Sequence, residues 1–175
     1  DLGQAHENDK SGCDNILEMS YTYQDSLEPD GHIPPFFFTT FLQGPEIYTG
    51  NHYDKSRINS GLLLGSEENQ GYLNLSQSSF FNYPQLGNYT QPINARQIYN
   101  ILKGKDVFGG SFIPCDFNEI SNFVNVNCDT LNPNFMFNGS PSSPFGWLMK
   151  DSTDARMLSN IGPFSLYKDS AQEII

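Results

Sequence analysis

Apolar residues in this chain fall into short runs set between long polar stretches. The clearest periodicity lies between Asn94 and Lys103, where Ala95, Ile98, Ile101 and Leu102 recur at helical spacing. Thr90 or Asn94 can cap its start and Gly104 ends it, so a helix is predicted over 94–103. The run Val107-Phe108-Gly109-Gly110-Ser111-Phe112-Ile113-Pro114 then reads as a short buried strand with glycines at its mouth. Helix, glycine-bearing loop and strand together make an αβ unit. Upstream, Ile33 to Leu42 is aromatic and β-branched after its Pro-Pro entry, a second buried strand that stops at the turn Gln43-Gly44-Pro45. Gly61-Leu62-Leu63-Leu64 and Gly71 to Leu75 flank the polar run Ser66 to Gln70, which predicts a hairpin with a polar tip.

The remaining stretches carry weaker patterns. Residues 1–32 are polar and acidic and form an irregular N-terminal segment, with a short element over Asn15 to Met19 at most. Asp129 to Trp147 is Asn, Pro, Ser and Gly with aromatics, hence a long loop. Asp154 to Ile175 is mixed and is expected to end in a helix. No internal repeat is visible.

Composition narrows the classes. With 175 residues, 37% hydrophobic and 14% aromatic, the chain suits one domain with a real core, placed over 33–175. A net charge of −11 with only nine Lys and Arg argues against a nucleic-acid partner, since phosphate binding needs clustered cations. No apolar run approaches the ~20 residues of a membrane span. The chain opens at Asp1 without Met or a leader, which reads as a mature product or a piece of something larger. Sequons at Asn74, Asn88 and Asn138 point to glycosylation in the secretory pathway, the third weakened by the following Pro141. Of the three cysteines, Cys13 and Cys128 lie in polar, Asn-rich surroundings and are the disulfide candidates, while Cys115 suits a buried free thiol; connectivity stays open. His6, His32 and His52 lack ligand spacing, so no metal is expected, and no P-loop or G-x-G-x-x-G calls for a cofactor. Gln24-Asp25-Ser26-Leu27 is one letter from a G-D-S-L esterase motif, but no His follows His52 to serve Ser26 as a base.

The densest chemistry lies from Cys115 to Cys128, CDFNEISNFVNVNC. Asp116 and Glu119 sit just past the predicted strand, where α/β and barrel enzymes place reactive groups. Taken alone, such carboxylates more often cap a turn and solvate a loop. The run Asp116 to Phe123, DFNEISNF, resembles the signature W-I-D-M-N-E-x-S-N-F of glycoside hydrolase family 31, the α-glucosidases that include maltase and isomaltase. Asp116, Asn118, Glu119, Ser121, Asn122, Phe123 and, upstream, Ile113 match it, and Cys128 fits the cysteine that often follows. Fainter likeness extends over roughly 36–170. Tyr83-Pro84 and Asn88 to Pro92 resemble F-P-D-F-x-N-P, and Leu166-Tyr167 resembles the end of H-N-L-Y-G. Departures accompany it: Gln77-Ser78-Ser79 stands at the family's W-P-G, Gln85 at the Asp of F-P-D, and Ser165 stands before Leu166-Tyr167 where no His-Asn pair is found.

The resemblance implies an α/β fold, part of a (β/α)₈ barrel around the nucleophile strand with a β-hairpin insertion. The alternative is a small, loop-rich α+β domain. It implies a retaining α-glucosidase with Asp116 as nucleophile, Glu119 orienting the site, and Asn118 and Phe123 at the substrate. The family's acid/base aspartate lies beyond the last residue here, and a barrel takes ~250 residues. The implied enzyme is therefore a segment or subunit of a larger unit, completed by a partner chain, with an oligosaccharide or α-glucoside substrate and a secreted, lysosomal or vacuolar location. The competing class is a non-catalytic relative that binds carbohydrate or has a structural role.

Overall fold

The computed structural model describes residues 9–24, 31, 36–58, 67–83, 92–152 and 156–175. Strands β1 (Lys10–Asp14) and β2 (Met19–Tyr23) form a hairpin within the stretch expected to be irregular. Its turn is closed locally: Asp14 Oδ1 accepts the backbone N–H of Ile16 and Leu17, at 2.9 and 3.0 Å, and Glu18 takes a positive φ of 52°. The strand β3 (Phe37–Thr40) adds to the free edge of β2, with Tyr21 opposite Phe38. Strand formation was expected there, but burial was not: Phe36, Phe37 and Phe38 are all about half exposed. Residues 33–35 of that run lie outside the described residues.

Next come β4 (Glu46–Tyr48), β5 (Lys55–Ile58), β6 (Glu67–Gln70) and β7 (Tyr72–Asn74). β6 pairs with β5 and β7 with β4. The polar run expected as a hairpin tip is thus mostly strand, paired antiparallel with β5, and Gly71 joins it to β7 at a φ of +83° that glycine adopts readily. The apolar run 61–64 lies outside the described residues. β8 (Gln77–Tyr83) is followed by the helix α1 (Ala95–Leu102), then β9 (Ser121–Val124), β10 (Gly146–Met149) and β11 (Arg156–Ile161). β9 pairs antiparallel with β10, and β8 with β11.

The helix forms where its periodicity predicted. Asn94 caps it, Oδ1 accepting from Gln97 N–H at 3.0 Å, and Gly104 leaves it at φ +75°. The segment after it does not become a strand. Asp106 Oδ1 accepts from Phe108 N–H at 2.9 Å and from Gly110 N–H at 2.7 Å, and Gly109 adopts φ +93°. An Asp followed by two glycines closes a tight turn more readily than it extends. Phe108 is accordingly exposed. Pro114, which has no N–H to give a ladder, opens a 3₁₀ turn over Pro114–Phe117.

The expected αβ unit and barrel are therefore overturned. Five small sheets, every strand pair antiparallel, and one α-helix make up the described residues, with no closed barrel. A βαβ crossover needs two parallel strands flanking a helix, and here the element after α1 is a pair of turns. The expected C-terminal helix is likewise absent among the described residues: β11 and an extended tail stand there, and Ile175 exchanges backbone hydrogen bonds with Gln43, N–H to O at 2.9 and 3.0 Å.

The core lies between β8, β10, the turns around 114–120 and the chain at 134–137. Consecutive strand residues point to opposite faces, yet Phe80 and Phe81 are both fully buried. β8 is covered on both sides. Phe81 meets Phe112 at 4.6 Å between ring centroids. Along the other edge Phe80 N–H bonds Asn134 O at 2.8 Å and Met136 N–H bonds Phe80 O at 3.1 Å. The long connection expected over 129–147 thus supplies Phe135, Met136 and Phe137 to the interior and ends in β10, with Trp147 completely buried.

Candidate functional site

The signature segment divides cleanly by burial. After the 3₁₀ turn, Ile120 N–H bonds Phe117 O at 3.1 Å and the chain enters β9. Phe117, Ile120 and Ser121 are buried, whereas Asp116, Asn118, Glu119 and Asn122 are exposed. Phe117 packs 5.7 Å from Phe112 and 6.1 Å from Trp147, centroid to centroid. Trp147 Nε1–H donates to Ser121 Oγ at 2.8 Å. Phe123 lies opposite Trp147 across the β9–β10 ladder, its ring 5.9 Å away. The lone tryptophan of the chain is thus the base on which the segment stands. Its importance was hidden in the sequence, where it follows a run of Ser, Pro and Gly.

A disulfide between Cys115 and Cys128, with a Cα–Cα distance of 5.1 Å, pins both ends of the segment. This overturns the pairing of Cys13 with Cys128 and the reading of Cys115 as a free thiol. Cys13 is the free cysteine: it points inward from β1, its thiol 3.5 Å from Met136 O. The middle of β1, from Ser11 to Cys13, is buried throughout, so the polar letters around Cys13 do not bring it to the surface. The Asp129 carboxylate lies near both sulfurs of the bridge, the three ligand-type atoms being within 4.8 Å of one another. Metals bind thiolates, and joined as a disulfide these sulfurs offer none. Closing a loop of separation 13 is expected to contribute about 3 kcal/mol. The double variant Cys115→Ala/Cys128→Ala should accordingly show a lower urea midpoint, with an m-value equal to or above that of the bridged chain because the unfolded state is no longer cross-linked.

Burial, followed by the charge of Asp14, pushes the Cys13 thiol well above its ordinary pKa. A thiol so raised stays protonated at neutral and mildly alkaline pH and is a poor nucleophile. Iodoacetamide at pH 8 is expected to leave Cys13 unmodified in the folded protein and to alkylate it fully in denaturant; rapid alkylation under native conditions would contradict its placement in the core.

The predicted site residues are brought together only in part. Asp116, Asn118 and Glu119 share one exposed turn, while Phe123 is partly buried against Trp147 and packs rather than presents itself. Asn74 is a clamp: Nδ2 donates to Gly44 O at 2.9 Å and Arg57 O at 3.0 Å, and Oδ1 accepts from Arg57 N–H at 2.6 Å. Asn138 lies half-buried at the rim of a groove, and Asn88 lies outside the described residues. His52 is exposed on a turn beside Gln70. The Asp25-Ser26-Leu27 run is not among the described residues. No described helix is long and apolar enough to cross a membrane, and the disulfide is compatible with secretion.

Comparison of the chain with protein-family models, with curated proteins and with solved structures finds no match.

Proposed function

We propose that this chain carries the nucleophile-bearing turn of a retaining α-glucoside hydrolase and works as one segment or subunit of a larger catalytic unit. The division of the signature into anchors and exposed groups supports this reading. Phe117, Ile120 and Ser121 tie the turn to Trp147 and the disulfide ties its ends, which leaves Asp116 and Glu119 outward on a fixed base. A nucleophile held this way loses little entropy in reaching an anomeric carbon. Asp116 attacks C1 and the glycosidic bond breaks; the leaving oxygen takes a proton from a second carboxyl group. Water then releases the sugar. That second group, about 5–5.5 Å away in a retaining site, comes from another segment or a partner chain, which also shields the exposed turn from solvent. Glu119 orients the sugar and Asn118 holds the loop, while Phe123 acts from behind through Trp147. A secretory compartment, lysosomal, vacuolar or extracellular, suits the disulfide.

The test is to purify the native assembly, assay an aryl α-glucoside, and incubate it with a fluorinated glucosyl fluoride that stalls at the glycosyl-enzyme. One added fluorohexosyl mass on the peptide holding Asp116 is expected, the anomeric fluoride having left; turnover with the label elsewhere overturns the assignment. One observation favours a second reading, a non-catalytic carbohydrate-binding or structural protein: Asp116 and Glu119 are exposed beside antiparallel strands rather than set at a parallel strand's end. An assembly without turnover that retains saccharide binding would support that reading instead.

A further inference from the structure

A groove of about 350 Å³ runs between the β1–β2 hairpin and the loop 138–142. None of its wall residues belongs to the Asp116 turn. We propose that this groove is a binding site for a neutral saccharide.

One wall is aromatic. Tyr21 and Phe36 lie 6.0 Å apart with their planes 27° from parallel, and Phe38 continues the platform 5.9 Å beyond Phe36. Phe36 is 56% exposed, and exposed rings gathered at a concavity mark binding surfaces. The face of such a ring carries the negative side of its quadrupole and meets the C–H face of a pyranose. The other wall is polar without being basic. Asp14 uses Oδ1 for its own turn, and Oδ2 takes no part in those bonds. Asn138 adds an amide, and Ser140 and Ser142 add hydroxyls 3.3 Å apart. A carboxylate, an amide and hydroxyls match sugar hydroxyl groups, which both donate and accept. Among the described residues no Lys, Arg or His lines the groove, so an anionic ligand would meet the Asp14 carboxylate there without a described cation to offset it. An alkylammonium would suit the rings and Asp14 but would leave the amide and hydroxyls without partners.

The groove is also held in shape before anything enters it. Tyr21 O–H donates to Gly139 O at 3.1 Å, tying hairpin to loop. Gly139 N–H bonds Trp147 O at 2.8 Å, and a Cβ added at Gly139 would sit 2.6 Å from Phe145 O. A preformed site loses less on binding than one that must be ordered. Asn138 is itself a sequon acceptor, so the saccharide is either free or the chain's own glycan; intact mass of the native protein and of Asn138→Gln tells these apart.

The groove does not depend on turnover at Asp116; only the choice of an α-linked probe rests on that reading. The full chain, produced without glycans and with its disulfide oxidised, is titrated by NMR with maltose, cellobiose, glucose 6-phosphate and tetramethylammonium. Maltose is expected to shift the resonances of 14, 21 and 138–142 with a Kd of about 1 mM, a weak complex of roughly −4 kcal/mol. Phe36→Ala, at an exposed side chain, should weaken it at least tenfold, and Asp116→Asn should leave it unchanged. Binding of cellobiose without maltose upholds the groove and counts against the α-glucoside reading. No shift with either disaccharide, an unaffected Phe36→Ala, or tighter binding of tetramethylammonium overturns the proposal.

Discussion

Trp147→Ala is expected to destabilise the chain by about 3–5 kcal/mol, a large part of the ~5–15 kcal/mol that holds a domain of this size. Trp147 has no exposed surface and is ringed by Phe117, Phe123 and Phe137 at 5.7–6.1 Å between centroids. Truncation leaves a cavity that these rings cannot all collapse into, because each is held by its own strand or turn. It also strands the buried Ser121 hydroxyl, which accepts from the indole N–H. Trp147→Phe separates the two effects: it keeps most of the apolar volume and loses the hydrogen bond, at a cost of about 1–3 kcal/mol. Urea denaturation followed by circular dichroism measures both. A loss below about 1 kcal/mol for the alanine variant would mean that the indole is not the centre of this core.

Asp116→Asn should show the opposite profile. On the proposed reading, hydrolysis of an aryl α-glucoside by the native assembly falls by about 10³-fold or more, since an amide cannot form the glycosyl-enzyme. Stability should move far less than the rate, because the side chain is exposed and the substitution keeps its size. A rate unchanged by the substitution removes Asp116 from the mechanism. A large loss of stability would instead make it a structural residue of the 3₁₀ turn. Glu119→Gln, also exposed, is a useful companion, because an orienting group should affect binding more than the chemical step.

The two variants sample what could and could not be read in the chain. Inside DFNEISNF the split between buried Phe117 and Ile120 and exposed Asp116 and Glu119 follows ordinary polarity, and the letters alone suggest it. The weight carried by Trp147 does not follow, since two of its ring partners, Phe117 and Phe123, lie in the signature and the third, Phe137, in the long connection, all of them ten or more residues from it. The lead-in at 107–114 shows how composition misleads. Its apolar letters read as a strand, but the Asp106 carboxylate and Gly109 close a turn over the same atoms, and a local hydrogen bond formed within four residues competes directly with a ladder. The aromatic run at 36–38 misleads in the other direction, since it forms a strand but at a sheet edge that leaves its rings open.

Sequence by itself determined the helix at 95–102 with its Asn94 cap and Gly104 exit, and the exposed character of the carboxylates at 116 and 119. These depend on neighbours within a turn or two, so the order of residues is nearly sufficient. Only the tertiary structure decided that Cys115 pairs with Cys128 while Cys13 is sealed in the core, and that β8 runs through the interior beside residues 134–136. It also decided that the strands pair antiparallel rather than around a barrel. Those outcomes join residues remote along the chain. They are set by which apolar faces can be covered at once, a condition on the whole molecule that no single stretch carries.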